Sequence, residues 1–380
     1  MDMYAQAREC PGDLGITWRR AGPGTWRPLL PFLIVVAFYF VAVGILAGAS
    51  GLDYLFRPAL YLDIMGTSAI LGVPPWFLIY FGHMTLIARE RHPLRRIGDN
   101  LRATLLSPPE LLAVIALMMA IALLFSAFTA FKLMLPHLHP FALDPLLARI
   151  DRAIHFGIDP WRLTHALIPG ARGSLIVNVL YNAWLFVVWI FLFVHIFWLT
   201  GARQRARYLL AFALCWILVG SLAALLLSSA GPAYYDRIVA GGDLFAPLME
   251  RLAAQDALLR DTGSGQLWAL STQEMLWRYY TGDTTGLGAG ISAMPSMHVT
   301  IAVLMALSAR QIARPLGWLF TLYALAILAG SVHLGWHYAI DGYAGAALAA
   351  LIWWLAGRLL AQPRESDSRN SSNAAQNRSR

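Results

Sequence analysis

The sequence predicts an all-α polytopic membrane protein, and three observations carry that prediction. Of its 380 residues, 58% are hydrophobic and only 13% charged, a balance that a water-exposed globular surface does not tolerate. The apolar residues gather into runs close to the ~20 residues that a helix needs to cross a bilayer. Arginines cluster after alternate runs, as the positive-inside rule requires of a chain that threads the membrane repeatedly. Inside hydrocarbon each segment must pair its own backbone amides, which makes helices the expected form. Two cysteines, Cys10 and Cys215, offer no disulfide framework, and 12% aromatic content excludes disorder over most of the chain. The formal net charge of +8 reports orientation in such a protein, and no nucleic-acid partner is expected.

Residues 1–28 are polar, with Trp18 and Trp26 suited to the interface. A full-length span follows, so this segment reads as a retained cytoplasmic N-terminus and not as a cleavable signal. Spans at 29–50 and 67–88 form an accessory pair that, with the basic loop after them, occupies 29–109. Six more, at 111–135, 175–200, 208–230, 297–313, 316–334 and 338–360, make a core at 110–362. The stretch 363–380, rich in Ser, Asn and Arg, is expected to be a disordered cytoplasmic tail.

The basic clusters fix the expected orientation. Arg8, Arg19, Arg20 and Arg27 precede the first span, Arg89, Arg91, Arg95, Arg96 and Arg102 follow the second, and Arg203, Arg205 and Arg207 follow the fourth. Arg310 and Arg314 follow the sixth, and Arg358, Arg364 and Arg369 the eighth. Those segments and both termini are expected in the cytoplasm, with loops 51–66, 136–174, 231–294 and 335–337 outside a cell inner membrane.

Two outer loops are too long to be plain connections. In the first, Asp144-Pro145 and Asp159-Pro160 each place a capping carboxylate before a proline, followed by Leu146, Leu147, Ile150 and Ile154 at helical spacing. The second holds similar stretches at Leu248–Leu259 and Leu267–Tyr280, with Trp268, Trp277, Tyr279 and Tyr280 as interfacial anchors or as part of a lid.

Ionisable groups near apolar spans are costly and mark function, and few exist here. Lys132 sits near an outer helix end, where it can snorkel; His83 and His195 fall nearer the cytoplasmic ends and read as satisfied packing residues. Three residues stand apart: His298, at the outer start of the sixth span, and His337 with Asp341, opening the eighth. The separation of 39 residues from His298 to His337 makes on the order of 58 Å of helix, close to one crossing inward and one outward, so both return to the same face. His337 and Asp341 are four apart and share a helix face. The carboxylate can hold one ring nitrogen protonated and leave the other free to attack. That suits phosphoryl transfer through a phosphohistidine, with His337 as nucleophile, Asp341 as its orienting partner and His298 as general acid. Ser296, beside the helix N-terminus, is expected to bind phosphate oxygens. His333, His337 and Asp341 also fall at i, i+4 and i+8, a spacing that a metal could use, though Gly335 interrupts that helix.

Ala293-Met294-Pro295-Ser296-Met297-His298 and His337-Tyr338-x-x-Asp341 resemble the motifs of the type 2 phosphatidic acid phosphatase superfamily. Gly231-Pro232-Ala233-Tyr234-Tyr235 resembles the first motif of its inositol phosphorylceramide synthase branch. The resemblance spans roughly 110–360. It implies metal-free, cofactor-free phosphohistidine chemistry on a phospholipid or sphingolipid, with an alcohol or water as acceptor. The Lys and Arg-Pro pair of the phosphatases' first motif are missing near Gly231, and Ser331-Val332 lacks the arginine of their Ser-Arg pair. Arg237 and Tyr235 are the nearby phosphate-binding candidates. A lipid phosphotransferase, a lipid phosphate or pyrophosphate phosphatase, and a non-enzymatic lipid-binding or transport protein are the three functions to weigh; the scarcity of charge within the spans argues against an ion-coupled pathway.

Overall fold

The computed structural model describes residues 27–62, 89–198, 202–282, 286 and 288–360, with isolated positions between 74 and 85. Among the described residues it is all-helical, without strands, as backbone deprived of water must be. Six helices are long and apolar enough to span a bilayer: Arg27–Ala49, Leu111–Leu138, Gly170–Ile196, Arg203–Leu226, Arg314–His333 and Ala339–Leu359. A shorter apolar helix, Met297–Ile312, accompanies them. This is a polytopic membrane architecture, and it matches seven of the eight expected spans. The expected span at 67–88 lies outside the described residues but for isolated positions. His83, the first 26 residues, with Trp18 and Trp26, and the tail from 361 lie outside them entirely.

In chain order the helices are α1 (Leu30–Ala49), α2 (Pro93–Leu105), α3 (Pro108–Leu138), α4 (Asp144–Ile154), α5 (Pro160–Leu167) and α6 (Gly170–Phe193). Then come α7 (Ala202–Leu214), α8 (Ala246–Asp261), α9 (Trp268–Thr281), α10 (Met297–Ile312), α11 (Arg314–His333) and α12 (Ala339–Leu359). The wide turns Val194–Trp198 and Cys215–Ala223 extend α6 and α7. The chain starts α6 at Gly170 and not at 175 because its first turn, Gly-Ala-Arg-Gly-Ser, is helical but too polar to belong to an apolar run.

The shortest span is the most central. α10 buries residues on every side, from Val299 through Ala309, and a helix apolar all round must lie inside a bundle. It packs against both α11 and α12. Gly345 permits the closest approach: a Cβ there would stand 2.7 Å from the Ser296 carbonyl oxygen and from Thr300 Oγ1. An alanine would push α12 off α10, at about 1–3 kcal/mol for such overpacking. His195 is a satisfied packing residue, as expected, bonding the Phe191 carbonyl at 2.8 Å and Ser308 Oγ at 3.0 Å.

The loop segments form α4, α5, α8 and α9 at the end of the bundle where α10 and α12 begin. Their carboxylates do not cap as expected. Asp144 lies inside the first turn of α4, and its oxygens accept from Ser229 Oγ (3.0 Å), Ala230 N–H (3.0 Å), Gly231 N–H (2.8 Å) and Tyr338 O–H (3.0 Å). Asp159 makes no side-chain cap and pairs with Arg162 at 3.2 Å. Asp151, two turns after Asp144, instead caps a distant helix: its oxygens accept the Ala339 and Ile340 amides at 2.9 and 3.0 Å. These are free N–H groups at the start of α12. Of the loop aromatics, Trp268 is exposed, whereas Trp277 stacks on Tyr234 at 5.6 Å and Tyr280 lies 5.7 Å from Phe141. They anchor the loops to the bundle.

Candidate active site

Two helix starts meet at this end of the bundle. The amide of Ser296 donates to the Asp341 carbonyl at 3.0 Å, tying the beginning of α10 to the first turn of α12. The rings of His298 and His337 consequently lie 6.2 Å apart, centroid to centroid, tilted by 60°. His337 Nδ1–H donates to Asp341 Oδ2 at 3.3 Å, and the same oxygen accepts the Tyr338 amide at 3.0 Å. With Nδ1 thus engaged, Nε2 is the nitrogen left free to react. His298 is held from below: its ring stacks on Tyr181 at 4.6 Å and lies 4.3 Å from Trp184, whose indole N–H donates to the His298 carbonyl at 3.0 Å.

Both imidazoles line a cavity of about 360 Å³, within the usual size of a small-molecule site. Its walls are mainly apolar, with the rings of Phe125, Phe128, Trp184, Trp189 and Trp216 among them. One cation among the described residues lines it, Lys132, which lies within electrostatic range of His298. The expectation that Lys132 snorkels to the surface is therefore corrected: α3 turns it toward the imidazoles. Lys132 is the only lysine in the chain. That singularity, inside an apolar run, is the signal that could have found it.

The three phosphate-binding candidates do not line this cavity. Ser296 is fully buried and caps α10, its Oγ accepting the Val299 amide at 3.5 Å. Tyr235 packs edge-on against Phe245 at 5.3 Å. Arg237 is exposed, pairs with Glu274 at 2.8 Å and lies over Trp277. Its neighbour Tyr234 does line the cavity, because successive residues of the tight turn 232–238 point in different directions. The Glu274 carboxyl is held below its usual range by the hydrogen bond from Arg237, so that arginine's charge is already matched.

His333 does not join His337 and Asp341. Gly335, at φ +73°, breaks the helix between the two histidines, which removes the i, i+4 register on which a metal triad depends. His333 stacks instead on His165 at 3.7 Å and bonds Ser174 Oγ at 2.8 Å. Among the described residues no group of three His, Cys, Asp or Glu side chains is placed to hold a metal ion.

A family model described as the PAP2 superfamily matches residues 145–355, more than half of the chain and the segment that carries both histidines and Asp341. No curated protein and no solved structure matches significantly.

Proposed function

The chain belongs to the PAP2 superfamily, a family of phosphatases and phosphotransferases, and from that premise we propose that it is a lipid phosphotransferase working through a phosphohistidine on His337. The observation that carries the reading is the convergence of His298, His337 and Asp341 at a mainly apolar cavity. Rings 6.2 Å apart can both reach a single phosphoryl group, since reacting atoms need only approach to about 3–3.5 Å.

In the first half-reaction Nε2 of His337 attacks phosphorus. A P–N bond forms, the P–O bond to the lipid alcohol breaks, and His298 gives its proton to the departing oxygen. Asp341 keeps Nδ1 protonated and stabilises the positive charge that develops on the ring. Lys132 faces the phosphoryl oxygens and offsets their charge in a low-dielectric site, a role that Arg237 does not fill. In the second half-reaction an acceptor hydroxyl gives its proton to His298 and attacks phosphorus, and the P–N bond breaks. No step calls for a metal or an organic cofactor. The apolar walls keep bulk water scarce, which favours an alcohol acceptor, as the likeness to the inositol phosphorylceramide synthase branch also implies. Hydrolysis differs only in the acceptor that is admitted.

The test uses purified protein and a lipid phosphate carrying ³²P. Wild-type protein is expected to retain label in an acid-labile, base-stable bond, and His337→Ala to lose both the label and turnover. His298→Ala is expected to recover activity on a phosphate ester of an acidic phenol, whose oxygen needs no proton to leave. Undiminished turnover of lipid by His337→Ala would refute the mechanism, and adding a lipid alcohol separates transfer from hydrolysis by the product formed.

A further inference from the structure

Five residues of the cavity wall, Tyr61, Phe125, Phe128, Thr129 and Lys132, precede residue 145 and lie outside the segment that matches the family model. The matched segment supplies the imidazoles, and α3 with Tyr61 supplies the wall that faces them. Tyr61 is fixed there by its own amide, which donates to Ser126 Oγ at 3.2 Å, and by Thr129 Oγ1–H, which donates to its hydroxyl at 3.4 Å.

We propose that this wall forms a slot for one apolar chain of the substrate lipid, with Phe125 as its floor and a depth of about eight carbons. The proposal rests on the reading that the phosphate sits at His298, His337 and Lys132, and the rise of α3 sets the depth. From Lys132 to Phe125 is seven residues along α3, about 10 Å; an extended chain of ~1.5 Å single bonds advances about 1.25 Å per carbon, so about eight carbons fit.

The floor is closed. Phe125, 7% exposed, stacks on Tyr61 at 5.4 Å and meets Trp189 at 5.5 Å, Trp216 at 5.0 Å and Phe212 at 6.1 Å. The side is open. Leu185 and Met275 line the cavity yet are 54% and 39% exposed, so a second tail, or the remainder of a long one, leaves between α6 and α9 into the bilayer. Deeper than the imidazoles the wall offers mainly rings and aliphatic groups, which bind an alkyl chain and not a polar headgroup.

The experiment measures binding of n-alkylphosphonates of four to fourteen carbons, brominated at the chain end, by quenching of tryptophan fluorescence in detergent-purified protein. Their C–P bond is not an ester, so they report on the slot even if His337 proves not to be the nucleophile. Wild-type affinity is expected to rise about fourfold per methylene up to about eight carbons and then to level. Phe125→Leu is expected to move that break to longer chains. Val188→Phe, which fills the slot two turns below Tyr181 on α6, is expected to move it to shorter ones. Val188 is on α6 and is not one of the rings packed on Phe125, so its variant carries the test should Phe125→Leu fail to fold. A break that stays in place in Val188→Phe, affinity that climbs without a break, or no phosphonate binding would each overturn the proposal.

Discussion

At the scale of single residues, the contrast between Lys132 and Arg237 shows that a cation's place in the chain says little about its role. Arg237 follows the Tyr pair that resembles a phosphate-binding motif, yet an exposed turn directs it to Glu274. Lys132 stands 166 residues before His298 and shares a cavity with it. We expect Lys132→Met to lower kcat/KM for a lipid phosphate about 100-fold, the usual loss when one charge-stabilising donor is removed. Lys132→Arg should recover part of it. Because no other lysine competes, protection of Lys132 from an amine-directed acylating reagent by inorganic phosphate, read by mass spectrometry, checks the contact directly. A variant with unchanged kcat/KM would remove Lys132 from the site.

At the scale of elements, the outer helices hold the spans in register. α4 reaches across the chain to cap α12 through Asp151 and to bind the Ser229–Gly231 segment and Tyr338 through Asp144. α5 does the same for the end of α11, where His165 Nε2–H donates to the His333 carbonyl at 3.0 Å. Burial holds the His165 imidazole below its ordinary pKa, and the nearby charge of Arg251 acts in the same direction. His333 from α11 covers its face. The folded protein therefore binds this proton less readily than the unfolded chain does. The stability contribution is full above the ordinary histidine range and is lost as pH falls through that range toward the depressed value. The melting temperature of the protein in detergent should be flat from pH 8 to 7 and fall below about pH 6.5, by about 2–4 °C for each kcal/mol of linkage. His165→Gln, which keeps a donor for the carbonyl, should flatten the slope; a melting temperature that rises on acidification would contradict the assignment.

At the scale of the whole molecule, the site stands at the end of the bundle where α10 and α12 start and the long loops collect. From the arginine clusters we expect that end to lie outside the cell. In a chain with Cys10 and Cys215 replaced by serine, Ser264→Cys, in the exposed turn between α8 and α9, is expected to react in intact cells with a membrane-impermeant maleimide. Arg91→Cys, exposed at the opposite end, is expected to react only after the cells are opened. The reverse pattern would turn the active site to the cytoplasm.

Most of the spans and the convergence of His298, His337 and Asp341 were legible in the linear chain because the physics behind them is local or nearly so. A helix in hydrocarbon announces itself as an apolar run of fixed length. His337 and Asp341 sit one turn apart, and two crossings bring His298 back to their side. What only the tertiary structure decided is where each polar side chain faces: that Ser296 caps a helix, that Asp144 and Asp151 bond distant amides, that His333 turns away to His165, and that Lys132 turns inward. Those choices depend on which helices become neighbours. A free amide, a carboxylate or an ammonium pairs with whatever packing brings within about 3 Å, and sequence separation carries no record of that distance.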